Sequence, residues 1–138
     1  MIALGTNEIL GGGGFHHVSI NAYDLRKSES FYKDVLGFKK VMEFISGNRS
    51  CIMLDSGDGA CLELFSGGSR EEKPDWAELH IALRTADTRA VLERVRASGM
   101  TITMEPKDLV LPSEPPLPIT VAFFKGPDGE LVELFQNR

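Results

Sequence analysis

The chain has 138 residues, 42% hydrophobic and 25% charged, which is typical of a folded globular protein with one core or two small modules sharing one. Its formal net charge is -5 and it has no run of Lys or Arg, so nucleic acid and anionic membrane are poor candidate partners. A small molecule is the better candidate. No apolar run approaches the roughly 20 residues of a membrane-spanning helix, and residues 1–10 lack the features of a signal peptide. We therefore expect a cytoplasmic protein.

The first half of the chain has the pattern of a βαβββ module. Residues 1–14 end in a glycine run without the Lys and Ser/Thr of a phosphate loop, and we predict a flexible tail there. Residues 15–23 alternate as a strand does, Asp24 is placed to cap a helix, and Gly37 marks that helix's end. Glycine-containing turns then separate predicted strands at about 38–45, 49–55 and 59–65. The first module therefore covers 15–66.

The second half repeats this order after a polar linker at 67–75. The module at 76–138 has a predicted strand at 77–85, a helix at 87–98, and strands near 100–104, 118–125 and 129–136. Residues 105–118 hold five of the seven prolines, so we exclude helix and central strand there. We predict a loop that is either a passive surface segment or one wall of a site. The predicted fold class is α+β.

Two cysteines, Cys51 and Cys61, fall on predicted neighbouring strands. In a reducing compartment, two small buried hydrophobic side chains are a better interpretation than a disulfide.

A repeated motif places one carboxylate in the last strand of each module. The frame D-G-x-x-x-E-L-F occurs at 58–65 and again at 128–135, and a His stands in the first strand of each module. The resulting pairs are His17 with Glu63 and His80 with Glu133. Aliphatic residues flank both Glu residues, and a sheet with helices on one side needs an aliphatic face for those helices. We therefore predict that all four side chains lie on the opposite face.

These four residue types favour a metal site when they are taken together. A single strand His is usually just hydrogen-bonded, and a single strand Glu usually faces water. Two imidazoles and two carboxylates at matching positions of a duplicated module are instead the donor set that binds Zn, Ni, Co, Fe or Mn. His16 competes with His17 as a ligand, but strand alternation places it on the helix side, and we discount it.

Several of these stretches resemble motifs of the vicinal oxygen chelate superfamily, which includes glyoxalases, bleomycin-resistance proteins and extradiol dioxygenases. The resemblance covers about 15–136 and implies one domain built from two βαβββ modules with curved mixed sheets, and a homodimer. The motifs that carry it are His16-His17-Val18, Phe31-Tyr32-Lys33-Asp34-Val35-Leu36-Gly37-Phe38, Leu62-Glu63-Leu64-Phe65, Leu79-His80-Ile81-Ala82-Leu83 and Asp128-Gly129 with Val132-Glu133-Leu134.

Within that superfamily, the ligand order His, Glu, His, Glu is most similar to bacterial glyoxalase I, the lactoylglutathione lyase. The similarity implies one divalent metal, Ni, Zn or Co before Fe or Mn, bound by His17, Glu63, His80 and Glu133. It also implies proton transfer next to a metal-chelated carbonyl, with Glu133 or Glu63 as the catalytic base.

The sequence departs from glyoxalase I at the positions that hold glutathione. Those enzymes have an Arg four residues after the first His and an Asn four residues after the first Glu, where this chain has Asn21 and Gly67. Arg84 occupies the corresponding place in the second module, and we take Arg84 and Asn21 as candidate substrate-binding residues.

Two alternatives remain open. One is an epimerase, similar to methylmalonyl-CoA epimerase, that transfers a proton on another substrate. The other is a metal-free sequestering protein of the bleomycin-resistance type, against which the four candidate ligands count.

Overall fold

The computed structural model describes residues 6–9, 11, 14–75 and 79–138. The chain divides into two compact units, Met1–Arg70 and Glu71–Arg138. Each unit contains one helix and one four-stranded mixed sheet. None of the helices in the described ranges is long and apolar enough to span a membrane.

The first unit consists of a helix and four strands. They are β1 (His17–Ala22), α1 (Leu25–Ser30), β2 (Lys39–Ser46), β3 (Arg49–Asp55) and β4 (Cys61–Ser66), and α1 continues into a π-helical segment at Phe31–Val35. The sheet order is β1-β4-β3-β2, and only β1 and β4 run parallel. Every predicted element of this module is therefore present, with ends shifted by one or two residues.

Local chemistry sets both ends of the first helix. The Asp24 side chain accepts a hydrogen bond from the Lys27 backbone N–H at 3.1 Å, which satisfies a donor that the helix itself leaves unpaired. At the other end, Gly37 has φ of 76°, a left-handed conformation that costs glycine little. Phe31 and Tyr32 are buried at 5% and 0% exposure, so this helical segment contributes its aromatic side to the core.

The second unit repeats the same order of elements. They are β5 (Ile81–Arg84), α2 (Thr88–Ala97), β6 (Thr101–Leu111), β7 (Leu117–Lys125) and β8 (Leu131–Asn137). The sheet order is β5-β8-β7-β6, with β5 parallel to β8. The first strand is shorter than the predicted 77–85, and residues 76–78 lie outside the described part of the chain. Two βαβββ modules with mixed sheets confirm the predicted fold class.

The buried face of each sheet is aliphatic, as predicted. In the second unit, Val132 and Leu134 of β8 are buried, and α2 contacts this strand. Gln136 continues the same alternation, and its Oε1 accepts a hydrogen bond from the backbone N–H of Thr88, the first residue of α2, at 2.9 Å. This contact identifies the helix side of β8. Because neighbouring strand residues point to opposite faces, Glu133 projects from the side away from α2.

The prediction of a loop over 105–118 is wrong for most of that segment. Strand β6 continues to Leu111, β7 begins at Leu117, and the turn is only 112–116. Strand β6 lies at the edge of its sheet, where prolines are tolerated because one row of backbone donors is not needed for pairing. Pro106 falls in the register shift between Met104 and Lys107.

A side-chain contact helps to hold this edge strand. Asp108 of β6 accepts a hydrogen bond from Thr120 Oγ1 of β7 at 2.6 Å and from Arg89 Nη1 of α2 at 3.2 Å. Hydrogen bonds from Thr120 first and Arg89 second hold the pKa of Asp108 below its usual value. The edge strand is therefore tied to both β7 and α2.

The predicted tail and linker are only partly within the described residues. Of the tail, residues 1–5, 10, 12 and 13 lie outside the described part, while the N–H of Gly11 donates to Glu8 O at 3.2 Å. The linker has no helix or strand, and it is held at both ends. Gly68 N donates to Ala22 O in the first unit, and Lys73 O accepts a hydrogen bond from Lys125 Nζ in the second.

Both cysteines are buried and free. Cys51 lies in β3 and Cys61 is the first residue of β4, so they are on neighbouring strands as predicted. Burial raises the pKa of the Cys61 thiol.

Amide hydrogen exchange distinguishes the edge hairpin from the loop that the prolines indicate. We expect alternate amides within 107–111 to exchange slowly, because they bond to β7, and the amides of 112–116 to exchange fast. Uniformly fast exchange across 105–118 would contradict the extended strand.

Candidate functional site

The first His–Glu pair lies on adjacent parallel strands of the first unit. His17 begins β1, and its register partner in β4 is Cys61, two residues before Glu63. His17 Nε2 is 3.6 Å from Glu63 Oε1. The carboxylate is nearly buried, at 7% exposure, whereas the imidazole is exposed. The pair therefore has one ordered, shielded member and one that solvent or a ligand can reach.

A serine hydroxyl holds the buried carboxylate of this pair. Ser19 is the direct register partner of Glu63, and its Oγ donates a hydrogen bond to Glu63 Oε1 at 2.7 Å. Since a buried carboxylate without a donor is costly, this bond fixes the Glu63 side chain in the orientation that faces His17.

The second pair lies in the equivalent place of the second unit. His80 directly precedes β5, and its Nε2 is 3.0 Å from Oε2 of Glu133 in β8. The His80 ring also stands edge-on to the ring of Phe123, with 5.8 Å between the ring centroids. The Glu133 side chain is also mostly buried, with 13% of its surface exposed against 9% for Glu63.

The two pairs differ at one register position. Ser19 stands opposite Glu63 in the first unit, whereas Ala82 stands opposite Glu133 in the second. Alanine has no hydroxyl to donate, so Glu133 lacks the restraint that Ser19 places on Glu63. The duplicated carboxylates are therefore not equivalent in their surroundings.

The N–O separation in the second pair matches two ligands of one metal ion, and that in the first pair is slightly wider. Two ligand atoms bound at about 2.1 Å are about 3.0 Å apart at right angles and about 3.4 Å apart at the tetrahedral angle. The observed N–O separations are 3.0 Å for His80 with Glu133 and 3.6 Å for His17 with Glu63. Imidazole nitrogen with carboxylate oxygen also suits Zn, Ni and Co in charge and softness.

The structure thus brings the predicted ligands together in pairs. Within each unit, and among the residues that the structure describes, no third His, Cys, Asp or Glu completes a metal-binding group. That His17, Glu63, His80 and Glu133 share one metal stays a prediction.

Sequence reasoning missed the contact that His16 makes. Its Nδ1 lies 2.9 Å from His17 Nδ1, and the two rings meet edge to face at 5.1 Å. His16 precedes β1, so strand alternation does not govern where its ring points. The contact occupies Nδ1 of His17, and the other ring nitrogen, Nε2, faces Glu63. Histidines that bind metals commonly have one ring nitrogen held by a neighbouring group in this way.

Arg49 is a second residue that sequence reasoning missed on this face. It begins β3, and its guanidinium lies over the ring of Phe65, 4.5 Å from the centroid. Its Nη2 donates to Oδ1 of Asn21, and its Nε donates to the Ser66 carbonyl at 2.9 Å. Asn21, a candidate substrate-binding residue, is therefore held by an arginine from another strand.

Arg84 lies at the end of β5 with Phe135 as its register partner. It is exposed, and strand alternation puts it on the face of Glu133. Among the described residues it makes no ion pair or hydrogen bond. Its guanidinium is available to an anionic group.

Comparison with known proteins identifies the family of this chain. The sequence profile of the Glyoxalase/Bleomycin resistance protein/Dioxygenase superfamily matches residues 14–134. The chain belongs to this superfamily. The matched range contains both His–Glu pairs, and the resemblance noted in the sequence is confirmed.

Two curated superfamily relatives and one solved structure illustrate the similarity. The chain is 31% identical to the lactoylglutathione lyase of Haemophilus influenzae, over 88% of this chain and 91% of that protein. It is 30% identical to the probable lactoylglutathione lyase of Vibrio cholerae, over 88% and 89% of the two chains. The trypanothione-dependent glyoxalase I of Leishmania major superimposes with a TM-score of 0.69 at 26% identity, over 90% of this chain and 86% of that one.

The restraint on Glu63 generates a prediction about metal affinity. We expect Ser19→Ala to weaken binding of Zn²⁺ or Ni²⁺ to the metal-free protein by about tenfold to a hundredfold, since outer contacts of metal ligands have effects of that size. Competition with a chromophoric chelator measures the change. Ser30→Ala, at an exposed helix position, is the matched control. Equal affinities in the two variants would contradict the role of Ser19.

Proposed function

We propose that this protein is a metal-dependent lyase or isomerase of glyoxalase I type. The proposed reaction transfers a proton next to a carbonyl that the metal chelates. The observation that carries the proposal is the repeated His–Glu pair, with N–O separations of 3.6 Å and 3.0 Å at equivalent places of the two modules. The similarity to proteins named lactoylglutathione lyase supports the same reaction class.

His17, Glu63, His80 and Glu133 would hold the metal, with Ni, Zn or Co the best match to their donor atoms and Fe or Mn also compatible. When bound, a divalent ion supplies a Lewis acid that polarises the chelated oxygens and stabilises charge developing beside the carbonyl. The four residues would need to converge, either within one chain or across a homodimer. We propose a cytoplasmic homodimer that acts on a small molecule.

Glu133 is our proposed catalytic base, and Glu63 the purely positioning carboxylate. Glu63 is nearly buried and accepts a hydrogen bond from Ser19 at 2.7 Å, so its orientation is already committed. Glu133 has a similarly small exposed fraction, 13% of its side chain against 9% for Glu63, but its register partner Ala82 offers no such bond. A base must reach the proton of the substrate and then carry it, which favours the carboxylate that no hydroxyl group already occupies.

The substrate of the proposed reaction need not be a glutathione adduct. Lactoylglutathione lyase activity is our first assignment, because of the named relatives. Asn21 and Gly67 nevertheless replace the two side chains that glyoxalase I uses for glutathione, and Asn21 is engaged by Arg49. The absence of those two side chains favours, as a second candidate, an epimerase-like proton transfer on another substrate. Assays of methylglyoxal conversion with and without glutathione separate the two.

The metal assignment has a direct test. We expect protein purified without chelator to contain about one divalent ion per site, with ligand distances of about 2.0 to 2.2 Å in a crystal structure. Replacing His17 or His80 by Ala should reduce the metal content to background. Glu72→Gln, which removes an exposed carboxylate outside the proposed site, should leave it unchanged. A wild-type protein that binds no metal would favour the sequestering alternative.

The base assignment predicts a separate kinetic effect. We expect Glu133→Gln to keep the fold and to lower kcat by about a hundredfold to ten-thousandfold with a small change in KM, because proton transfer occurs in the transition state. Glu72→Gln again serves as the control. An unchanged kcat in Glu133→Gln would transfer the base role to Glu63.

A further inference from the structure

The most informative group outside the His–Glu pairs is the half-buried guanidinium of Arg49. Its partners are all uncharged: the side-chain carbonyl of Asn21, the backbone carbonyl of Ser66 and the ring of Phe65. No carboxylate lies within ion-pair distance of Arg49 among the residues that the structure describes. A partly buried positive charge therefore has no compensating charge of its own.

Other arginines of the chain contrast with this one. Arg26 pairs with Glu29 at 2.8 Å, Arg89 with Asp108 at 3.2 Å, and Arg96 with Glu105 at 2.6 Å. Each of those three guanidinium groups is paired with a carboxylate. Arg49 is instead held by uncharged groups, which orient the plane of its guanidinium without neutralising the positive charge.

We propose that Arg49, oriented by Asn21 and Phe65, binds an anionic group, a carboxylate or a phosphate, of the small-molecule substrate. A guanidinium has five N–H donors, and the hydrogen bonds to Asn21 and Ser66 use two of them, which leaves three. Planar N–H pairs match the oxygens of carboxylate and phosphate. Stacking on Phe65 and the two hydrogen bonds hold the group in place before a ligand arrives, which lowers the entropy cost of binding.

The position of this subsite relates it to the proposed reaction. Phe65 follows Glu63 by two residues in β4, so the two side chains share a face and lie about 7 Å apart along the strand. Asn21 is paired with Phe65, just as Ser19 is paired with Glu63. The substrate class is therefore a small acid whose anionic group lies several ångströms from the oxygens that react.

The second unit carries a related placement. Arg84 follows His80 by four residues, as Asn21 follows His17, and its register partner is Phe135, two residues after Glu133. Each unit thus places an arginine beside the phenylalanine that follows its Glu, although the two arginines come from different strands.

The test is a titration of the full-length, metal-free, ¹⁵N-labelled protein with succinate, with inorganic phosphate and with neutral succinamide. We expect the backbone amide signals of residues 21 and 65 to shift saturably with succinate, phosphate or both, and not with succinamide. Saturation by only one anion identifies which group the subsite prefers. Arg49→Gln should weaken this binding at least about tenfold, the effect of losing a hydrogen bond to a charged group.

Arg70→Gln is the matched control, because Arg70 also stacks on an aromatic ring, Tyr23 at 4.2 Å, and carries the same charge. It should bind succinate as the wild type does. Asn21→Asp places a carboxylate beside Arg49 and should abolish the shifts. This variant provides a second test in case Arg49→Gln fails to fold. The proposal would be overturned if neither succinate nor phosphate produced a saturable shift. It would also be overturned if anion binding were undiminished in Arg49→Gln or in Asn21→Asp.

Anion binding by Arg49 is independent of the proposed function. Only the assignment of that anion to the substrate rests on the proposed function. The titration uses metal-free protein and measures no turnover, so its failure is distinguishable from a failure of metal binding or catalysis.

Discussion

The alternation of side chains along the last strand of each module is the constraint on which the candidate site depends. Val132 and Leu134 are buried on the helix side of β8, and the hydrogen bond from Thr88 N to Gln136 continues that side. A slip of one residue in the register would turn Glu133 into the helix-packed core and expose the aliphatic residues. The cost of burying an unpaired charge and of exposing apolar surface therefore keeps the carboxylate on the open face.

Duplication of this module provides two similar His–Glu pairs, and single neighbouring residues make them different. The hydroxyl of Ser19 donates a hydrogen bond to Glu63, whereas Ala82 offers Glu133 no hydroxyl and the imidazole of His80 lies 3.0 Å from it. His16 contacts His17 through Nδ1, and Phe123 meets His80 edge to face. Residues that are not ligand candidates thus give the two carboxylates different neighbours.

The Arg49 contacts connect a departure in sequence with a difference in structure. Asn21 stands where glyoxalase I carries an arginine, yet a guanidinium reaches the same strand face from β3. An arginine on a neighbouring strand can thus bring a positive charge to the same place on a sheet. Residues on adjacent strands lie closer together than residues four positions apart on one strand.

The sequence by itself determined the element order, the α+β class and the residues of each His–Glu pair, because these follow from local signals. Alternation identified the strands, Asp24 and Gly37 bounded the first helix, and the repeated D-G-x-x-x-E-L-F frame marked both carboxylates. Only the tertiary structure decided the rest. Proline density indicated a loop at 105–118, but strand pairing at a sheet edge extends β6 to Leu111. The reach of Arg49 to Asn21 likewise depends on the pairing of β1, β4 and β3, in which residues 28 positions apart become neighbours, and no local pattern records such contacts.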